Sequence, residues 1–127
     1  MEFLICLNKM EKIVEFGQQK IPLQHIFINR KHVFGFVNLL PVTQGHVLIS
    51  TKRKVSKFTQ LDENETLELT WTAQEVSTML SNVYNCEVSW TIQDGPAAGQ
   101  TVRHTHMHLT PRRAEQPIVS VDESDRK

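Results

Sequence analysis

Residues 61–93, LDENETLELTWTAQEVSTMLSNVYNCEVSWTIQ, change period part-way along, and that change decides the fold class. Leu69, Ala73, Val76, Leu80 and Val83 recur at steps of four, three, four and three, which describe one face of a helix. Asp62 followed by Glu65 makes a capping-box-like start, although Ser or Thr is commoner at the first position. Trp71 and Met79 fall near the apolar face and read as core. Tyr84, Asn85 and Cys86 stand near the helix end, and EVSWTIQ (87–93) alternates as a strand does.

Working outward, residues 21–51, IPLQHIFINRKHVFGFVNLLPVTQGHVLIST, read as three short strands. Ile26, Ile28, Val33, Phe34, Phe36 and Val37 are β-branched or aromatic, Asn29–Lys31 can turn, and Pro41 and Gly45 punctuate the loop before HVLIS. On the other side DGPAAGQ (94–100) is a loop by composition. TVRHTHMHL (101–109) reads as the last strand, with Pro111 ending it. Strands, then a helix, then strands make an α+β domain. The remainder, AEQPIVSVDESDRK (114–127), reads as a polar, mobile tail.

At 127 residues, 39% apolar and 22% charged, the chain has the size and composition of one folded domain, not of a disordered or membrane protein. The net charge is zero, but its halves differ. Residues 1–60 carry nine Lys/Arg against three Asp/Glu, and residues 61–127 carry five against eleven. Lys52, Arg53, Lys54 and Lys57 read either as a solvated loop or as an electrostatic funnel for an anion. Cys6 and Cys86, far apart, give no disulfide framework and fit a reducing compartment. The opening MEFLICLNKM has too short an apolar run for a signal peptide or a membrane span. The expectation is a cytoplasmic protein with no membrane or nucleic-acid partner.

Three of the six histidines, His104, His106 and His108, stand at every second position. On a strand they share a face, about 7 Å between neighbouring Cα atoms and about 13 Å between the outer pair, while Thr105, Met107 and Leu109 turn to the face a helix can cover. That geometry nominates His106 as the centre. A neutral imidazole is nucleophilic near neutral pH, and attack on phosphorus would give a phosphohistidine-type intermediate that water resolves. A neighbouring imidazole can hydrogen-bond the phosphoryl oxygens or help the leaving group. Gly95, Gly99, Gln100 and Thr101 lie just upstream, a loop able to bring backbone N–H groups and neutral donors to an anion. Two readings compete: a solvated row of polar residues, and a zinc site with His46 as third ligand. His25 and His32 read as ordinary surface or strand residues, and His46 stays ambiguous.

These residues resemble the histidine triad superfamily. QDGPAAGQTVRHTHMHLTPRR (93–113), with FGFVN (34–38), QGHVLIS (44–50) and FGQ (16–18), closely resembles its fragile histidine triad branch, the dinucleoside polyphosphate hydrolases. The likeness runs from Phe16 to Arg113, 98 of the 127 residues. The purine-nucleoside phosphoramidase branch follows its triad with Gly-Gly-Arg, where this chain has Pro111 and Arg112. The uridylyltransferase relatives replace the last histidine by glutamine, and this chain keeps His108.

The resemblance implies the histidine triad fold, an antiparallel sheet of about five strands with one long helix on one face. It divides the chain into an N-terminal extension (1–15), a histidine triad domain (16–113) and the polar tail (114–127), with Met10 as an alternative start. It implies hydrolysis of diadenosine triphosphate or tetraphosphate to AMP by a bis(5'-adenosyl)-triphosphatase-like enzyme. His106 is then the nucleophile, His108 contacts the phosphate near the scissile bridge, and His104 and His46 support them. Asn38 binds ribose and Gln93 contacts phosphate. Gly99, Gln100, Thr101 and Val102 line the polyphosphate path, and Phe16, Phe36 and Leu48 form a slot for the base. In any fold Phe36 and Leu48 also read as strand core, and Asn38 as a turn residue. A homodimer is implied, with no cofactor bound by the protein and Mg or Mn accompanying the substrate phosphates. Thr105 and Thr110 depart from the usual apolar positions, Gln19 stands where relatives of this branch carry histidine, and Tyr84 is the sole tyrosine. A phosphoramidase and a nucleotide-binding signalling module are the alternatives.

Overall fold

The computed structural model describes residues 13–122. Cys6, Met10 and most of the expected N-terminal extension lie outside the described residues. Strand β1 (Ile13–Phe16) turns through Gly17 and Gln18 into β2 (Gln19–Pro22), a separate hairpin. The main sheet comprises β3 (Ile26–Asn29), β4 (Val33–Val37), β5 (Val47–Thr51), β6 (Glu87–Thr91) and β7 (His106–Arg112). Its order is β3-β4-β5-β7-β6, antiparallel throughout. Among the described residues no helix is long and apolar enough to cross a membrane.

Helix α1 (Glu63–Tyr84) lies on one face of this sheet, giving the expected α+β fold. It starts with a complete capping box: the Asp62 carboxylate accepts from the Glu65 N–H at 2.8 Å, and the Glu65 carboxylate accepts from the Asp62 N–H at 3.0 Å. Such a cap contributes about 1 kcal/mol. Arg53 also grips Glu65 at 2.7 Å and 3.0 Å, holding its carboxyl below the usual carboxylate range. Asn85, in the left-handed region, ends the helix. Leu69, Ala73, Val76 and Leu80 pack on Val33, Val47, Ile49, Met107 and Leu109.

The apolar stripe is narrower than its spacing predicts. Val83 is 67% exposed, Trp71 60% and Met79 46%, although all three read as core. Beyond Leu80 the stripe continues through Tyr84, not Val83, and Trp71 instead lies beside the Arg30 guanidinium, which is 5.6 Å from its ring centroid.

The last strand also differs from the alternation. It begins at His106, because the Thr105 N–H and hydroxyl both donate to the Val55 carbonyl and the His104 N–H to Val102. Pro111 lies inside β7: the ladder with β5 has already ended at Val47–Leu109, and β6 alone pairs there. The tail is not loose throughout, since Val121 is buried and Asp122 accepts a hydrogen bond from Gln93. Its isolated valines are apolar residues that average composition hides.

Candidate active site

The face opposite α1 carries Phe16, Phe34, Phe36 and Leu48, and the histidines enter beside them. His106 and His108 come from β7, His104 from the turn before it, and His46 from the residue before β5. All four are buried. Phe16 ties the hairpin to this row, its ring centroid 4.9 Å from that of His106 and 5.4 Å from that of His104. The His106 and His108 rings meet edge-on at 5.1 Å.

Hydrogen bonds fix the proton positions. His104 Nδ1 accepts from the Gly17 N–H at 2.8 Å, so its other nitrogen carries the hydrogen and donates to the Thr51 carbonyl at 2.6 Å. Burial pushes the His104 pKa down, with the Thr51 bond opposing and the Lys54 charge adding to the fall. A ring spanning two backbone groups in this way is neutral and rigid. His106 Nδ1 lies 2.7 Å from the His104 carbonyl, which can only accept. Nδ1 therefore holds the hydrogen and Nε2 the lone pair.

The second chain runs through His46. Its Nδ1 accepts from the Val42 N–H at 3.2 Å, leaving the hydrogen on Nε2, which donates to His108 Nδ1 at 2.9 Å. His108 then carries its hydrogen on Nε2. The row thus pairs a nucleophilic nitrogen on His106 with an N–H donor on His108. That combination suits attack on phosphorus with stabilisation of the phosphoryl oxygens.

Gly17 is required by this arrangement. Its φ of 61° lies in the left-handed region, and a Cβ there would come within 2.7 Å of Val102. The β1–β2 turn can bring its N–H to His104 because that residue lacks a side chain.

A cavity of about 440 Å³ opens beside the row, with apolar walls from Phe16, Ile21, Phe36 and Leu48. Asn38, Thr101 and Val102 line it as well, so six of the residues read as substrate contacts share one cavity. Phe36 and Leu48 are also core on this face. Asn38 serves a turn too, its Oδ1 accepting from the Leu40 N–H at 2.9 Å. A second cleft, about 540 Å³, has Gln19, Thr101 and Val102 in common with the first and continues to Gly17, Gln18, Lys54 and Arg103.

The remaining predicted contacts stand apart from both walls. The Gln100 side chain braces its own loop, accepting from the Gly95 N–H and donating to the Ser56 carbonyl, both at 2.8 Å. The Gln93 amide donates to Asp122, and Gly99, at φ 100°, sits so close that a Cβ would meet both groups. Sequence reading missed Lys20, His25, Leu39 and Leu40 around the first cavity and Arg103 in the second. His25, read as an ordinary surface or strand residue, is half-buried there; no local pattern marked it. Among the described residues no group of three or more His, Cys, Asp or Glu side chains could hold a metal ion.

Residues 19–115 match the HIT domain family model. The chain belongs to that family, and within it to the fragile histidine triad branch. It is 47% identical over 102 residues to the nitrilase and fragile histidine triad fusion protein NitFhit of Caenorhabditis elegans, covering 80% of this chain and 23% of that protein. It is 39% identical over 112 residues to the bifunctional bis(5'-adenosyl)-triphosphatase/adenylylsulfatase FHIT of Arabidopsis thaliana, covering 85% and 62%. The chain thus spans less than two thirds of the length of these curated relatives. Among solved structures, the Plasmodium falciparum diadenosine triphosphate hydrolase bound to cyclomarin A superposes with a TM-score of 0.80 at 31% identity, over 99% of this chain and 90% of that one.

Proposed function

We propose that this protein hydrolyses a dinucleoside polyphosphate, diadenosine triphosphate or tetraphosphate, releasing AMP through a nucleotidyl-His106 intermediate. One observation carries the reading: the 2.7 Å bond from His106 Nδ1 to the His104 carbonyl, which leaves the lone pair on Nε2 of a ring packed against Phe16, a wall of a nucleoside-sized cavity. His106 Nε2 attacks the α-phosphorus as its bond to the bridging oxygen breaks and the second nucleotide departs. The His108 N–H stabilises the phosphoryl oxygens, and His46 holds that ring. Water then adds to phosphorus, the P–N bond breaks, AMP leaves, and the water protons pass to solvent.

Phe16, Phe36 and Leu48 hold the base and Asn38 the ribose, Thr101 and Val102 border the phosphate chain, and Gln93, Gly99 and Gln100 brace the loop behind them. A divalent ion, Mg or Mn, enters with the substrate phosphates. The working unit is a homodimer of the 16–113 domain in the cytoplasm. The relatives' names support the substrate class, since several are named bis(5'-adenosyl)-triphosphatases.

The test is trapping. After incubation with diadenosine triphosphate and an acid-free quench, the peptide containing His106 is expected to gain the mass of AMP less water. A labelled peptide lacking His106 would overturn the assignment. Preference for an adenosine phosphoramidate over the polyphosphate would make the protein a phosphoramidase instead.

A further inference from the structure

Four cations, Lys52, Arg53, Lys54 and Lys57, left two readings open, and the structure separates them. Arg53 is spent on Glu65. Lys54 instead lines the second cleft together with Arg103, the Gly17–Gln19 turn, Thr101 and Val102. The cleft is built into the triad, because the Gly17 N–H that borders it binds His104. Lys54 lies near enough to act on the His104 ring electrostatically.

These cations are available to a ligand. The only acidic partner of Lys54 among the described residues is Glu15, at 3.7 Å, and both side chains are more than half exposed. Such a pair is worth little and yields readily to a multivalent anion. Arg103 is exposed and has no ion pair among the described residues. The cleft adjoins the nucleoside cavity through Gln19, Thr101 and Val102. A chain anchored by its nucleoside in the first cavity can therefore pass His106 and continue into the cleft that these two cations line.

We propose that Lys54 and Arg103 form a cationic clamp for the distal phosphates and leaving nucleotide, selecting longer polyphosphate chains. The proposal rests on the hydrolase reading for its substrate. It adds the residues that set chain length. The guanidinium offers a paired donor fork and the ammonium a point charge, so together they follow a flexible chain without fixing its register.

Binding is measured apart from turnover, so that failure of the clamp and failure of hydrolysis are distinguishable. His106→Asn protein, with and without Lys54→Gln and Arg103→Gln, is titrated with AMP, diadenosine triphosphate and diadenosine tetraphosphate at low and high salt. The double change is expected to weaken tetraphosphate binding about tenfold relative to AMP, with triphosphate between them. In the parent the tetraphosphate advantage should shrink with salt, and in the double variant much less. Charge reversal, Lys54→Glu with Arg103→Glu, should widen the gap. Equal losses for AMP and tetraphosphate, or no loss for either, would overturn the clamp. Circular dichroism identifies an unfolded double variant, in which case the two single variants carry the same comparison.

Discussion

The two faces of the five-stranded sheet solve different problems. Toward α1, Val33, Val47, Ile49, Met107 and Leu109 meet Leu69, Ala73, Val76 and Leu80, and what matters there is volume. On the opposite face four histidines, each no more than 4% exposed, sit among Phe16, Phe34, Phe36 and Leu48. Burying that many polar rings is tolerable because each has at least one nitrogen that meets a backbone group or another ring. One strand serves both purposes: Met107 packs toward the helix while His106 and His108 point away. Changes on the first face should appear as stability, and changes on the second as activity.

The largest separation is expected from His106→Asn. Asparagine can keep a donor for the His104 carbonyl but supplies no nucleophile. Turnover should fall about 10⁴-fold or more, on the order of 5 kcal/mol in the barrier. Nucleotide binding, measured by titration, should stay within about threefold. Normal turnover in this variant would break the assignment of chemistry to that face.

The converse change is Leu69→Ala, in the middle of the helix-side core and fully buried. It should cost about 2–5 kcal/mol in urea unfolding. The folded fraction should keep kcat within about threefold, since Leu69 belongs to the helix-side cluster, which contains no histidine. If kcat collapsed while stability held, the two faces would be coupled and the division wrong.

How far this division was legible depends on the scale of the signal. Helix, strands and the pairing of His106 with His108 follow from periods carried by neighbouring residues. His104 looked like one more member of the row, yet it belongs to a turn, because Thr105 gives its donors to Val55, 50 residues away in the chain. The β1–β2 hairpin is short and half polar, and its reason for existing, Gly17 on His104, spans 87 positions. Arg53 and Lys54 are alike in charge and adjacent, but they face a helix carboxylate and an open cleft respectively. Trp71 and Met79 failed differently: Trp71, two residues from both Leu69 and Ala73, lies on the solvent side of the helix, and Met79 lies at the margin of the stripe.

The smallest effect expected is a pH dependence on the histidine face that the aliphatic face lacks. Burial lowers the His104 pKa, the Thr51 bond opposes, and Lys54 and Glu15 push in opposite directions. The folded protein therefore resists protonating a ring that protonates near pH 6.5 once unfolded. As pH falls below about 6.5 the unfolded state takes up the proton first, so stability present at neutral pH is lost progressively until the folded value is passed. His104→Gln removes the titration. Urea midpoints measured from pH 7.5 to 5 should decline for the parent and decline less for this variant, whatever its starting stability. Leu69→Ala should decline as steeply as the parent. Parallel slopes for the parent and His104→Gln would mean that the ring takes up its proton within the fold as readily as outside it. The hydrogen bonds to Gly17 and Thr51 would then not be holding it neutral.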